Sequence, residues 1–278
     1  MKYSAFGTTG LMVSQVALGT ANFGTGWGHG ADAGASAAVF NAYAEAGGNF
    51  IDTADIYQFG QSEELLGTLL HGRREDFLLA TKYTNGTVPN ANRLVTGNSR
   101  KAMVASVEAS LKRLNTDRID LFWAHHPDAD TPLDELVRGF DDLARAAKIL
   151  YAGLSNVPAW RLARAATVAE LTRAVPVAAA QFEHSLVHRQ PEADLLPAAH
   201  ALARSVGRGQ AGAAGGLRRD RLAALLPAGF QQSLQFGMHL VQRSLPVDPP
   251  VGGPDPQDFP AQSAQHLLAQ QVAVAGRG

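Results

Sequence analysis

The sequence predicts an α/β fold, a (β/α)8 TIM-type barrel with an N-terminal β-hairpin. Short apolar runs alternate with segments of helical periodicity six times between residues 16 and 204, which is typical of parallel βαβ units. A polar residue ends most of these runs, as it does at the carboxyl-end face of a parallel barrel. An open dinucleotide-binding sheet would instead need Gly-x-Gly-x-x-Gly after its first strand, and Gly19, Gly24, Gly26 and Gly28 are spaced differently.

The strands are predicted from apolar runs bounded by turn residues. Residues 2–14 form the hairpin, with Thr8-Thr9-Gly10 as its turn. Asn49 and Asp52 flank the short run Phe50-Ile51, which we predict as the second barrel strand. The six predicted barrel strands are residues 16–20, 50–52, 77–82, 119–125, 149–156 and 177–181.

The helices are predicted from apolar residues three and four positions apart. Asp32 is placed to cap the first helix, and Gly47-Gly48 to end it. Pro132 occupies a first-turn position that tolerates proline. The remaining helices are predicted from Ser62 to Gly72, around Met103, Val107, Leu111 and Leu114, after Thr131, over 158–171 and over 191–204.

The sequence changes character at Gly207. Residues 207–278 contain no Lys, Glu, Ile, Tyr, Trp, Thr or Asn, and no seventh or eighth buried strand is recognisable there. We therefore divide the chain into a barrel-like part, 1–206, and an atypical, partly disordered tail, in which 222–226 and 262–274 are predicted helices and 247–260 a loop. Codons for Lys, Ile, Asn and Tyr are A/T-rich, so our hypothesis is a frameshifted end. The alternative is a natural low-complexity extension, and resequencing the locus would decide.

Composition excludes several classes of function. The net charge of −1 gives no basic field for nucleic acid or acidic membranes, and the absence of cysteine excludes disulfides and thiolate chemistry. No apolar stretch is long enough to span a bilayer, and no signal peptide is recognisable. We expect a soluble, cytoplasmic protein with a small-molecule substrate, and the oligomeric state is not readable.

Six motifs follow one another with a spacing that resembles a known family. They are 48–57 (GNFIDTADIY), 62–67 (SEELLG), 80–82 (ATK), 120–125 (DLFWAH), 153–156 (GLSN) and 181–183 (QFE). Each alone is weak, but six in order over residues 1–206 resemble the aldo-keto reductases. The resemblance implies a (β/α)8 barrel that reduces aldehydes and ketones with NADPH.

The resemblance also implies the site residues. The active-site Asp, Tyr, Lys and His of the family fall on Asp52, Tyr57, Lys82 and His125. For cofactor binding we expect Gly19 and Thr20 at the end of the first strand, with Ser155, Asn156 and Gln181 holding the nicotinamide carboxamide. Phe23, Trp27 and Trp123 are weaker candidates for the substrate pocket, since core packing explains them equally well.

The chemistry of these residue types agrees with carbonyl reduction. A phenol has a pKa of about 10, which makes it a reluctant acid at neutral pH. A nearby ammonium favours the phenolate, so we expect Lys82 to lower the pKa of Tyr57 while Asp52 holds the lysine. His125 would polarise the carbonyl oxygen. Taken singly, each residue has a structural explanation, and Asp128 beside His125 lacks the partners for a metal site.

Three departures from the family pattern leave other functions open. The usual seventh strand and the residues that bind the 2′-phosphate are not found, so we expect an open barrel with unpaired edges. Ala147 stands where a helix-ending Gly is usual, at a cost of about 1 kcal/mol if the backbone there is left-handed. The alternatives are an inactive truncated barrel, a non-enzymatic binding subunit, or a Schiff-base aldolase that uses Lys82.

Overall fold

The computed structural model describes residues 1–186, 188–202, 205–209 and 238–241. Strands and helices alternate along it as the periodicity predicts. The strands are β1 (Tyr3–Ala5), β2 (Met12–Ser14), β3 (Val16–Gly19), β4 (Phe50–Asp52), β5 (Leu78–Tyr83), β6 (Ile119–Ala124), β7 (Ile149–Ser155), β8 (Val177–Glu183), β9 (Ser205–Gly209) and β10 (Met238–Val241). The α-helices are α1 (Ala33–Glu45), α2 (Gln61–Leu69), α3 (Arg100–Leu114), α4 (Leu133–Arg145), α5 (Ala159–Thr172) and α6 (Leu195–Ala201).

The strands from β3 to β10 form a closed barrel. The strands β3 to β9 run parallel to one another, and β10 runs antiparallel between β9 and β3. The α/β barrel with an N-terminal hairpin is therefore confirmed, although the ring differs from a regular (β/α)8 barrel in its last strand. The expected unpaired edges are a misprediction, because β3 pairs with β10 and β8 pairs with β9. The predicted elements at 222–226, 247–260 and 262–274 lie outside the described residues.

Local side chains explain where helices begin and end. The carboxylate of Asp32 accepts a hydrogen bond from the N–H of Ala35 at 2.8 Å and starts α1 as predicted. The last predicted helix is shorter than expected, because a 3-10 turn at Gln190–Glu192 precedes α6. Ala147, just after α4, has φ +56°. The backbone there is left-handed, so the position does have the geometry that favours glycine.

Two apolar clusters hold the barrel together. The outer cluster joins the helices to the outward faces of the strands, with Phe40, Leu66, Met103 and Phe140 buried in it. The inner cluster fills the barrel and includes Phe6, Val13, Ala17, Phe50, Leu78, Ala80, Leu121, Trp123, Ala178 and Ala179.

The hairpin β1–β2 closes the amino-terminal end of the barrel. The ring of Phe6 packs edge-on against that of Phe50, the first residue of β4, with centroids 5.7 Å apart. The hydroxyl of Tyr43 donates to the carbonyl of Phe50 at 2.8 Å and lies 2.8 Å from the hydroxyl of Ser14, the last residue of the hairpin. With one end of the barrel filled, the carboxyl end is where a pocket can form.

Among the described residues, no helix is long and apolar enough to cross a membrane.

Candidate active site

The predicted catalytic and carboxamide-binding residues come together at the carboxyl ends of neighbouring strands. Asp52 ends β4, Lys82 is the last residue but one of β5, and His125 follows β6 directly. Next around the ring, Ser155 ends β7 and is paired in register with Gln181 of β8. Because parallel strands deliver their last residues to one face, these side chains share one mouth.

Lys82 connects three of the groups. Its ammonium donates to Asp52 Oδ2 at 2.6 Å, to the carbonyl of Thr53 at 2.9 Å and to Tyr57 Oη at 3.2 Å. The side chains of Lys82 and Asp52 are each only 1% exposed. The Lys82 Nζ atom also lies 4.9 Å from the centroid of the Tyr57 ring. A buried positive charge is thus held beside the phenol by a carboxylate.

The electrostatic environment corrects one expectation. Burial raises the pKa of the Tyr57 phenol, the charge of Lys82 opposes that rise, and Asp52 adds to it, so the pKa lies above its usual value. We predicted a lowered pKa because the ammonium is readable from sequence whereas burial is not. Burial by itself lowers the pKa of Lys82, but the charges and hydrogen bonds of Asp52 and Tyr57 together outweigh it and raise that pKa. At neutral pH both groups keep their protons.

Gln181 bonds the same carboxylate as Lys82. Its Nε2 donates to Asp52 Oδ2 at 3.1 Å, so that oxygen accepts from both Lys82 and Gln181. The amide nitrogen of Gln181 is therefore engaged inside the site. Its carbonyl oxygen is the atom suited to accept from a ligand.

His125 lies beside the phenol at the mouth. Its ring is edge-on to the Tyr57 ring, with centroids 6.0 Å apart, and it stacks on His126 at 4.5 Å. Asn85 Nδ2 lies 3.4 Å from His125 Nδ1. Burial and the charge of Lys82 both lower the pKa of His126, so the stacked neighbour is neutral at pH 7.

Ser155 and Asn156 form a polar pair next to His125. The Asn156 amide donates to Ser155 Oγ at 3.0 Å and to the carbonyl of His125 at 3.0 Å. Ser155 is buried, whereas Asn156 is exposed and has a left-handed backbone with φ +56°. Its N–H donates to the carbonyl of Gln181 at 2.8 Å. The three residues predicted to hold a carboxamide are thus adjacent.

Gly19 and Thr20 lie at the end of β3, next to Asp52. Gly19 is paired in register with Asp52, and the N–H of Thr20 donates to the Asp52 carbonyl at 3.1 Å. Thr20 is fully buried, and its hydroxyl accepts from Ser62 Oγ at 2.9 Å. In this structure the Thr20 side chain ties β3 to α2, and a role in binding a cofactor stays a prediction.

The three aromatic pocket candidates have different surroundings. Trp27 is partly buried and packs edge-on against Tyr57, with ring centroids 6.2 Å apart. Phe23 is 4% exposed in the outer cluster, and Trp123 is 1% exposed inside the barrel. The contacts of Phe23 and Trp123 are those of core residues, the alternative left open by the sequence, while Trp27 is the candidate that touches the site.

Two residues close to the site are not among the candidates predicted from the sequence. Gln58 is fully buried, and its side chain bonds the backbone of the loop that carries Trp27. Asp55 has a buried carboxyl group, and its backbone N–H donates to the Lys82 carbonyl. Both stand inside the 48–57 motif or directly after it, but hydrogen bonds to loop backbone leave no periodic signal. Their proximity to Tyr57 in the chain was the available clue.

In the described part of the chain, no three His, Asp or Glu side chains lie close enough together to hold a metal ion. Asp128 instead accepts from the N–H of Asn98 at 2.5 Å and from the N–H and hydroxyl of Thr131 at 2.7 and 2.8 Å. It therefore fastens the loop before α3 to the start of α4.

Known proteins resemble this chain over its barrel. It is 36% identical to a norsolorinic acid reductase of Aspergillus flavus over 68% of this chain and 51% of that protein. It is 36% identical to an aryl-alcohol dehydrogenase [NADP(+)] of Phanerodontia chrysosporium (68% of this chain, 52% of that protein). It is also 36% identical to the uncharacterized oxidoreductase YrpG of Bacillus subtilis (73% and 64%).

The chain spans about half the length of most of these curated relatives. The sequence model of the Aldo/keto reductase family matches residues 15–208, which contain every strand from β3 to β8 and all of the predicted site residues. This match covers well over half of the chain. The carboxyl end of the barrel also brings together Asp52, Tyr57, Lys82 and His125. The chain belongs to the aldo/keto reductase family.

Proposed function

We propose that the chain is the barrel of an oxidoreductase that reduces aldehydes and ketones to alcohols with NADPH, with Tyr57 as the proton donor. The contact that carries this proposal is the 3.2 Å hydrogen bond from Lys82 Nζ to Tyr57 Oη, inside a buried ion pair with Asp52. Family membership supports carbonyl reduction in general, and one relative's name includes NADP(+).

The protein's part in the reaction is to place the substrate and supply a proton. The carbonyl oxygen would accept hydrogen bonds from Tyr57 and His125, whose rings lie 6.0 Å apart. As the carbonyl is reduced, the developing alkoxide takes the Tyr57 proton. The phenolate that remains is stabilised by the adjacent Lys82 ammonium. The raised pKa of Tyr57 keeps the proton in place until then.

The donor set at the mouth fits a nicotinamide carboxamide. Ser155, Asn156 and Gln181 offer hydroxyl and amide groups that are adjacent to one another, and Gln181 also bonds Asp52. A primary carboxamide needs both donors and acceptors, and this set contains both. A bound reduced nicotinamide would supply the hydride for the carbonyl carbon. The preference for NADPH over NADH is inferred from the family and from the relative's name alone.

Tyr57→Phe tests the proposed acid. The variant removes one hydroxyl and keeps the ring that packs against Trp27 and His125. Since a positioned general acid contributes about 10²–10⁴-fold, we expect kcat for an aldehyde to fall by at least about 100-fold. NADPH affinity, measured by fluorescence quenching, should change little. Tyr3→Phe, which removes an exposed hydroxyl in the hairpin, is the matched control.

The outcome separates the proposal from its rivals. Equal turnover by Tyr57→Phe and the parent would remove Tyr57 from the mechanism. NADPH binding without turnover of any carbonyl by the parent would favour the non-enzymatic binding subunit. A Schiff-base aldolase is disfavoured by the raised pKa of Lys82, because such a nucleophile must lose its proton, and by its three engaged partners.

A further inference from the structure

The backbone directly after Tyr57 is left-handed over three successive residues. Gln58 has φ +51°, Phe59 has φ +57° and Gly60 has φ +92°. Residues with a Cβ rarely adopt this conformation, and glutamine and phenylalanine are not among the types that tolerate it best. Strain of this kind persists where the surrounding contacts fix it, often at functional sites. The contacts of Gln58 therefore need an explanation.

The carboxamide of Gln58 joins two points of one loop. The side chain is fully buried. Its Nε2 donates to the carbonyl of Ala21 at 3.0 Å, and its Oε1 accepts from the N–H of Trp27 at 2.9 Å. Both ends of the amide are satisfied by loop backbone, so the side chain fixes the distance between residues 21 and 27.

Glycines let the loop approach Gln58 this closely. A Cβ at Gly26 would lie 2.5 Å from the carbonyl oxygen of Gln58, and one at Gly30 would lie 2.1 Å from that of Gly24. Real Cβ atoms do not come so near to backbone. The glycine-rich stretch, whose spacing does not fit a dinucleotide turn, is therefore explained by its wrapping around one buried amide.

The result of this wrapping is the position of Trp27. Its ring packs edge-on against Tyr57, with centroids 6.2 Å apart, and edge-on against Phe59 at 6.4 Å. Gln58 lies between Tyr57 and Phe59 in the chain, and its Oε1 accepts from the N–H of Trp27. The Trp27 ring thus stands next to the proposed acid, and Trp27 is only partly buried.

We propose that Gln58 is a positioning residue for substrate choice: by holding Trp27 against Tyr57, it maintains one wall of a slot for flat aryl aldehydes and ketones. The proposal rests on the proposed function, since Tyr57 must be the group at which the carbonyl reacts. Aromatic rings attract one another beyond what their buried area gives, so a fixed Trp27 favours an aryl substrate over an aliphatic one.

The test compares Gln58→Met with Gln61→Met. Methionine keeps an unbranched side chain of similar length and loses both hydrogen bonds of Gln58. Gln61 is the matched control, because its Oε1 accepts from the N–H of Thr25 in the same loop, whereas that of Gln58 accepts from the N–H of Trp27. We expect Gln58→Met to lower the ratio of kcat/KM for benzaldehyde to that for butanal by about 3- to 10-fold. Gln61→Met should leave the ratio unchanged.

A second readout follows Trp27 without any turnover. The chain has three tryptophans, Trp27, Trp123 and Trp160. The substitution Trp160→Phe removes the exposed one, and Trp123 is buried, so Trp27 is the tryptophan that a quencher reaches. Acrylamide should then quench the fluorescence of Gln58→Met more than that of the parent or of Gln61→Met. Gln58→Gly, which relieves the left-handed backbone but also lacks the amide, should behave like Gln58→Met and shows that the amide matters.

Each result decides something. An equal loss for benzaldehyde and butanal, or unchanged quenching, would overturn the positioning of Trp27 as the basis of substrate choice. Greater quenching with an unchanged substrate ratio would overturn the aryl slot. If the parent reduces no carbonyl at all, the proposed function fails, and the quenching comparison still decides whether Gln58 positions Trp27.

Discussion

Asp55 is a carboxyl buried behind the candidate active site, and its charge should make folding depend on pH. It is 2% exposed, and Oδ2 accepts from the hydroxyl of Ser106 on α3 at 2.9 Å, while Oδ1 is a buried acceptor that has no hydrogen-bond partner among the described residues. Burial, and then the negative charge of Glu63, raise the pKa of Asp55 to about 7, although Ser106 and the charge of Arg113 oppose the rise.

The size of the effect follows from that pKa. In the unfolded chain an aspartate loses its proton near pH 4, whereas in the folded protein Asp55 keeps it to about pH 7. The folded state therefore binds the extra proton, and its stability falls as pH rises from about 4 to about 7 and stays lower above that. A pKa difference of about three corresponds to about 4 kcal/mol at pH 8.

Asp55→Asn removes this titration. The amide oxygen of asparagine still accepts from Ser106, and the side chain has the shape of the protonated acid. We expect the unfolding free energy of the variant minus that of the parent to grow by about 3 kcal/mol between pH 5 and pH 8, because about two pH units of this range lie below the pKa of Asp55, and urea unfolding measures it. Asp130→Asn, at an exposed position, is the control. A constant difference between variant and parent across this pH range would refute the reasoning, whatever its size.

Two predictions concern backbone and packing. Ala147→Gly should raise the free energy of unfolding by about 1 kcal/mol, because Ala147 has φ +56° after α4, and no gain in thermal melting would mean that the strain is relieved elsewhere. Gly153→Ala should destabilise by about 1–3 kcal/mol, because a Cβ there would lie 2.3 Å from a ring carbon of Trp123. Gly34→Ala is its control, as its nearest neighbour would be an Asp32 oxygen at 3.5 Å, and equal urea midpoints for these two variants would contradict the packing argument.

The positions of the site residues could be predicted because they depend on the order of strands along the chain. Asp52, Lys82 and Ser155 each stand at or near the end of an apolar run, and a parallel barrel brings such ends together. The hydrophobic period and the turn residues carry this information locally.

Properties that depend on three-dimensional surroundings could not be predicted. The net pKa shift of Tyr57 is set by burial against Lys82, and the sequence reveals the lysine alone. Gln181 donates to Asp52 across 129 positions of chain, which no spacing pattern indicates. The closing strands at Ser205–Gly209 and Met238–Val241 contain Gly, Arg and His in place of a continuous apolar run, so their residue types gave little sign of them.

Because of the hairpin β1–β2, the two ends of the barrel differ, and one of them can serve for attachment. It covers the barrel end opposite the mouth, and Thr8 and Gly10 at its turn lie on the outside of the protein. A surface linker attached at this turn would orient the opening toward bulk solution rather than toward the support. Immobilised in that way, the protein would keep the entrance for small molecules clear.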